Sequence, residues 1–175
     1  MFKWLKNQAE KRQNAKNLYM LATSHAGNTE FYSSYQVSDS IEGRYEMLCI
    51  HIFLLLERLR HEDKEKQLSE LITELLVKDL ELNYFESEIK NLDRADKINQ
   101  RIGGFYNRSA DYQSALRQSR RDLLEQSVTK HVFNDLNNYD ERAKYLANYI
   151  FAAHNYLNSI PFRDIESAKF LFVEP

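Results

Sequence analysis

The sequence has few of the residues that break helices or make tight turns. Its 175 residues include only four glycines and two prolines. Both residue types disfavour a helix interior, and strands joined by tight turns need clusters of them at regular intervals. Their scarcity argues against a β-sandwich or a barrel. It favours an all-α fold.

Other features are also scarce, and each scarcity excludes a class of protein. A single cysteine, Cys49, cannot form an intrachain disulfide. The 24 basic and 26 acidic residues nearly balance, whereas a dedicated nucleic-acid-binding protein carries a basic excess. The most apolar run, Tyr45 to Leu56, is shorter than the roughly 20 residues that span a bilayer. The N-terminus has no apolar core of a signal peptide. We therefore expect a cytoplasmic protein.

What the sequence does contain is helical periodicity over most of its length. We predict a single-domain bundle of about six helices over residues 1–175. The predicted helices run from about Phe2 to Ser24, from a cap at Asp39 to about His61, from beyond Lys66 to about Phe85, from Arg94 to Arg117, from Asp122 to Phe133, and from a cap at Asp140 to Leu157.

Details of the helix ends and of burial follow from the same pattern. Gly27 is expected to end the first helix in a left-handed conformation, before a short helical turn over residues 30–35. Asp39 and Glu42 have the spacing of a capping box. The helix that follows Asp39 is apolar on all sides, so we expect it to be the central one. No structure is predicted for the tail beyond Pro161.

Two blocks of residues carry a family resemblance. The first contains, in order, Phe31, Tyr32, Val37, Asp39, Gly43, Arg44, Tyr45, Glu46, Met47, His51, Arg58 and Leu59. The second contains Asp79 and then Phe105, Tyr106, Asn107, Arg108 and Tyr112. Together they resemble the signature of the ubiquinol-cytochrome c chaperone family, and the likeness covers roughly Leu18 to Phe133. The loop at residues 84–91 departs from the family pattern, and Asn107 stands where the family has glycine.

The resemblance implies a non-enzymatic assembly factor without a cofactor. Such a chaperone binds newly synthesised cytochrome b and promotes assembly of respiratory complex III. Mitochondrial relatives work with a small partner protein near the ribosome. The resemblance places a client-binding region around Phe31, Tyr32, Arg44, Phe105, Tyr106 and Arg108. It assigns a structural signature to Asp39, Gly43, His51, Arg58 and Asp79. The alternative is a helical interaction scaffold unrelated to respiration.

Arg44 and Asp79 each lack an oppositely charged neighbour three or four residues away. An antiparallel hairpin with its apex near Asp63 would bring Arg44 level with Asp79 and Glu86. We therefore predict that Arg44 pairs with one of these acids and holds the hairpin together. The alternative is that Arg44 receives a polar group of the client.

His51 lies among apolar residues, so we predict a hydrogen-bonded core histidine. None of the five histidines has a second one three or four residues away, so neither a metal site nor a haem site is predicted. Phosphate-binding loops and nucleophile motifs do not occur either, which favours a binding protein over an enzyme.

Two further features leave alternatives open. Gly103 and Gly104 lie inside a predicted helix, where they indicate either close helix packing or a kink, or else a shallow client groove. Near the N-terminus, Trp4 and Leu5 accompany several basic residues. That segment is either a peripheral contact with the inner membrane or a solvated helix end.

Overall fold

A computed structural model describes the backbone of residues 2–60, 62–63, 67–86, 91–134 and 141–175, and the side chains in these ranges except 2–3, 84–86 and 91–92. The described part consists of helices and connections without a β-strand, which confirms the all-α prediction. The helices are α1 (Phe2–Ala26), α2 (Thr29–Ser33), α3 (Ile41–Leu59), α4 (Gln67–Glu86), α5 (Asn91–Arg117), α6 (Arg121–Val128), α7 (Glu141–Ser159) and α8 (Phe162–Glu166).

The six predicted helices correspond to α1 and α3–α7, and α2 is the predicted short turn. The predicted end of the fifth helix, Phe133, is reached because α6 continues into a single π-helical segment, Thr129–Phe133. The short helix α8 lies in the tail for which the sequence predicted no structure. The predicted cap at Asp140 and the break around His61 and Lys64 to Lys66 lie outside the described residues.

The central position predicted for α3 is confirmed, because thirteen of its nineteen residues are buried. Helices α1, α4, α5 and α7 all contact it. Helix α1 lies against both α3 and α4, and these contacts are far more extensive than the direct contact between α3 and α4. Helix α5 contacts α3, α4 and α6, and α6 also contacts α7.

At two helix ends, the capping interactions in the structure differ from the predicted ones. The cap of α3 is Ser40, whose Oγ accepts a hydrogen bond from the Gly43 N–H at 3.2 Å. Asp39 is not the cap, because its carboxylate instead pairs with Arg44. Helix α1 does end before Gly27, but no described glycine has a positive φ. The Gly27 N–H simply donates to the carbonyls of the last turn, so the prediction of a left-handed glycine was wrong.

Candidate functional site

Arg58 ties the central helix to the end of α7. Its side chain is almost fully buried, and its guanidinium donates to the carbonyl oxygens of Leu157 and Ile160, each at 2.9 Å. Its third contact is an ion pair with Glu62 at 2.5 Å. Each guanidinium nitrogen thus has an acceptor, which is how a buried charge is tolerated. This residue of the predicted signature has a structural role.

His51 is the hydrogen-bonded core histidine that the sequence predicted. The ring is fully buried, with Nδ1 2.7 Å from the Met47 carbonyl oxygen and Nε2 2.8 Å from the Tyr149 hydroxyl. A carbonyl only accepts, so Nδ1 carries the proton and Nε2 accepts from the tyrosine. Burial lowers the pKa of His51 to about 3. The imidazole is therefore neutral and links α3 to α7.

The predicted ion pair between Arg44 and Asp79 does not form. Arg44 Nε lies 2.6 Å from Asp39 Oδ1, and both side chains are more than half exposed. Asp79 instead accepts a hydrogen bond from the Tyr19 hydroxyl at 3.0 Å. The reason is that α1 lies against both helices of the predicted hairpin, so Asp79 faces α1. The other proposed partner, Glu86, has a side chain outside the described residues.

Gly43 is required by close contact between α3 and the preceding loop. A Cβ atom at this position would lie 1.9 Å from the Ser38 carbonyl oxygen. No ordinary side chain fits there without moving the backbone. This member of the predicted signature also supports the fold.

A buried ion pair between α3 and α5 was missed by sequence reasoning. Arg108 donates to Glu46 Oε1 at 2.7 Å, and both side chains are about nine-tenths buried. Burial raises the pKa of Glu46 to about 7, although the guanidinium of Arg108 opposes this shift. The available signal was an acid within the apolar run of α3, but the sequence does not reveal its distant partner.

The six predicted client-binding residues do not form one surface. Phe31 and Phe105 are fully buried, so their rings belong to the core. Tyr32 is half-buried and donates its hydroxyl proton to the Ala26 carbonyl oxygen. Arg108 is engaged by Glu46. Of the six, Arg44 and Tyr106 are the exposed side chains, and only Tyr106 presents a large apolar surface.

Tyr106 lines a groove that α4 forms with α5 and with the end of α3. This part of the groove has a volume of about 780 Å³ and is also lined by Leu56 and Val77. A second part, of about 840 Å³, continues along α4 and α5 to Leu82 and Ile98. The two parts share Val77, Lys78 and Glu81. We call the whole the α4–α5 groove.

The α4–α5 groove has exposed apolar side chains and a charged rim. The side chain of Tyr106 is 54% exposed and that of Leu82 is 63% exposed. In the part that Tyr106 lines, acidic side chains outnumber basic ones. The acidic residues there are Asp63, Glu70, Glu74 and Glu81, and the basic residues are Arg60 and Lys78. Such a groove suits an apolar helix that carries basic residues beside its apolar face.

The two glycines of α5 behave differently from each other. A Cβ atom on Gly103 would meet nothing within 4 Å, so the close-packing interpretation is wrong for this residue. A Cβ atom on Gly104 would lie 3.4 Å from the Arg108 guanidinium. Gly104 lines a small polar pocket with Glu42, Glu46 and Arg101. Neither glycine lines the α4–α5 groove.

Among the described residues, no three His, Cys, Asp or Glu side chains are grouped so that they could hold a metal ion. In the same part of the chain, no helix is both long and apolar enough to cross a bilayer.

Comparison with known proteins adds a family and a fold. The sequence model of the family described as Ubiquinol-cytochrome C chaperone matches residues 33–172. The crystal structure of the Cbp3 homolog from Brucella abortus superposes with a TM-score of 0.87 at 25% sequence identity. That match covers 99% of this chain and 97% of the other. No curated protein matches the sequence.

Proposed function

Because this chain belongs to the ubiquinol-cytochrome c chaperone family, we propose that it binds newly synthesised cytochrome b in the α4–α5 groove during assembly of complex III. Membership of the family and the Cbp3-like fold support the role of a complex III assembly chaperone. The identity of the client and the location of its binding site are our proposal.

The observation that carries the proposed site is a pair of large exposed apolar side chains, one in each part of the groove. Tyr106 and Leu82 are each more than half exposed. Together with half-buried Val77 and Ile98 they form apolar surface along one continuous depression. Apolar surface that is contiguous, in contrast to single exposed side chains, marks binding sites. A helix of a membrane protein that has not yet inserted offers a matching apolar face.

Charge supports the same type of client. Membrane proteins carry an excess of Lys and Arg in short loops next to their membrane helices. The acidic residues in the part of the groove that Tyr106 lines, including Glu70 and Glu74, would attract such a basic flank. The attraction would favour correct orientation and fast association more than final affinity.

We further propose that the protein acts by binding and not by catalysis. Three buried ionisable groups with strongly shifted pKa values lie in the packing between helices. His51 is held by Met47 and Tyr149, and Glu46 by Arg108. The thiol of Cys49 is fully buried, which raises its pKa to about 12 and keeps it protonated. These contacts give His51 and Glu46 a structural role, and burial keeps the Cys49 thiol unreactive.

A pair of matched double variants tests the groove. Tyr106→Ser with Leu82→Ser removes the two exposed apolar groups of the groove. The control, Tyr145→Ser with Leu171→Ser, removes one tyrosine and one leucine side chain outside the groove. These side chains are similarly exposed, at 56% and 71%. Each protein is expressed at normal level with an affinity tag, and cytochrome b is quantified in the material purified from detergent-solubilised membranes.

We expect the groove variant to recover at least about tenfold less cytochrome b, because truncating the apolar anchor residues of an interface costs about 1 kcal/mol or more each. The control variant should behave like the wild type. Equal recovery by both variants would refute the groove as the client site. A photocrosslinking residue at position 106, compared with one at position 145, would then identify any other contact.

A separate measurement tests the role in complex III assembly. Cells lacking this protein should accumulate less cytochrome b and less assembled complex III than the parent strain. Normal levels of both would overturn the proposed function, whereas a defect rescued by the groove variant would overturn only the location of the site.

A further inference from the structure

The first half of α1 extends beyond the core of the protein. The buried residues of this helix begin at Ala15 and continue with Leu18, Ala22 and Ala26. None of the described side chains from Trp4 to Asn14 is buried. This part of the helix is held near the core by Lys11, whose Nζ donates to Gln67 Oε1 at the start of α4. The N-terminal part of α1 is therefore largely surrounded by solvent.

Two large apolar side chains lie on this protruding part. Trp4 is 63% exposed and Leu5 is 51% exposed. Adjacent exposed apolar groups on a helix that has left the core have no role in packing the fold. Tryptophan in particular favours the boundary between water and the acyl chains of a bilayer, because its ring is apolar and its N–H is polar.

The charge of this segment is opposite to that of the rest of the chain. The first sixteen residues contain five basic residues and one acidic residue, a net charge of +4. Since the whole chain has a net charge of −2, the remaining residues carry −6. Separation of charge on this scale points to an anionic partner for the basic part.

One face of this part of the helix combines an apolar group with basic groups. Leu5, Arg12 and Lys16 are spaced by seven and four residues, so they share one face. Arg12 and Lys16 are exposed. The single acidic residue, Glu10, lies roughly opposite Arg12, because two residues rotate by about 200° around the helix axis. The face that carries Leu5, Arg12 and Lys16 is therefore free of acidic side chains from this segment. Trp4 lies about 100° to one side of it, and Lys6 lies on the other side, one turn before Glu10.

From these observations we propose that residues 4–16 bind the surface of an anionic lipid bilayer. Trp4 and Leu5 enter the headgroup boundary, while Arg12 and Lys16 contact anionic headgroups. A nucleic acid would also attract the basic residues, but it offers no apolar phase for Leu5. This proposal uses a surface separate from the α4–α5 groove and does not depend on the identity of the client.

Co-sedimentation of the full chain with lipid vesicles tests the proposal. The vesicles contain phosphatidylcholine alone or phosphatidylcholine mixed with phosphatidylglycerol. One variant combines Arg12→Gln and Lys16→Gln, and its control combines Lys144→Gln and Lys169→Gln, which are also exposed lysines. A second variant combines Trp4→Ser and Leu5→Ser. The unfolding transition of every variant is measured, because exposed substitutions should leave it unchanged.

We expect binding to the mixed vesicles only, weakened by added salt. Each lost basic residue should reduce the partition coefficient roughly fivefold, so Arg12→Gln with Lys16→Gln should reduce it on the order of 25-fold. The lysine control should bind like the wild type, and the Trp4 and Leu5 variant should bind more weakly. Equal binding to both kinds of vesicle, or unchanged binding by these variants, would overturn the proposal. So would binding of this segment to RNA without binding to vesicles.

Discussion

Replacing Gly43 with alanine should destabilise the protein, although alanine is the better helix former. The new methyl group would lie 1.9 Å from the Ser38 carbonyl oxygen and 2.9 Å from the Ser38 carbonyl carbon. Both are backbone atoms, so a side-chain rotation cannot relieve the contact. The loop around Ser38 is itself held in place, because Val37 is buried and its N–H donates to the Phe31 carbonyl oxygen at 3.0 Å.

The magnitude follows from two opposing effects. Alanine in place of glycine stabilises a helix interior by about 1 kcal/mol, which is an upper bound for Gly43, the third residue of α3. Forcing a methyl group into a filled space costs about 1–3 kcal/mol. Moving the loop would also disturb the Ser40 cap, which typically contributes about 1 kcal/mol. We therefore expect a net loss of roughly 1–3 kcal/mol in the free energy of unfolding.

The matched control is Gly103→Ala in α5. This substitution has the same chemistry within a helix, but its methyl group would meet no atom within 4 Å. It should raise the free energy of unfolding by about 0.5–1 kcal/mol. Urea unfolding, followed by far-ultraviolet circular dichroism, measures both variants. If Gly43→Ala proved as stable as Gly103→Ala, the close contact with Ser38 would not be the reason for glycine at position 43.

Three further substitutions test buried polar contacts. As the pH rises from about 5 to about 8, the free energy of unfolding of the Glu46→Gln variant should increase by up to about 3 kcal/mol relative to that of the wild type. The folded pKa of Glu46 is raised from 4.5 to about 7, so its stabilising effect is present in acid and lost as the pH rises through 7. A difference between the two proteins that does not change with pH would contradict this assignment. Tyr149→Phe should lower the free energy of unfolding by about 1–3 kcal/mol in urea, because it leaves His51 Nε2 buried without a donor. Arg58→Lys should cost a similar roughly 1–3 kcal/mol in the same assay, because an ammonium group cannot reproduce the guanidinium contacts with Leu157 and Ile160.

Exposed residues supply the controls for the last two substitutions. Tyr145→Phe alters a hydroxyl on a largely exposed side chain and should change stability little. Arg44→Lys alters an exposed ion pair with Asp39 and should change it by less than about 1 kcal/mol. Losses as large in the controls as in Tyr149→Phe and Arg58→Lys would show that burial is not the deciding factor.

Features that depend on neighbours along the chain were predictable. The apolar periodicity from Tyr45 to Leu59 located the central helix, and the apolar surroundings of His51 identified it as a core residue. Even here the predicted start of a helix was wrong by one residue, since Ser40 and not Asp39 caps α3. Both side chains can cap a helix, and the choice depended on whether Arg44 engaged the aspartate.

Contacts between helices were not predictable in the same way. The proposed pair of Arg44 with Asp79 assumed that α3 and α4 face each other directly. Helix α1 lies against both, so Asp79 meets Tyr19, which is 60 residues away in the sequence. In the same way, Glu46 meets Arg108 although neither position specifies the other. The predicted client residues were divided between core and surface for the same reason.

The amino-acid order alone determined the helical class, the approximate helix bounds and the identity of the central helix. These properties depend on hydrogen bonds and side-chain spacing within about four residues along the chain. Only the tertiary structure decided which residues meet across helices, which aromatic side chains stay exposed and where the α4–α5 groove runs. Those outcomes depend on the order and rotation of packed helices, and several arrangements can bury the same apolar stripes.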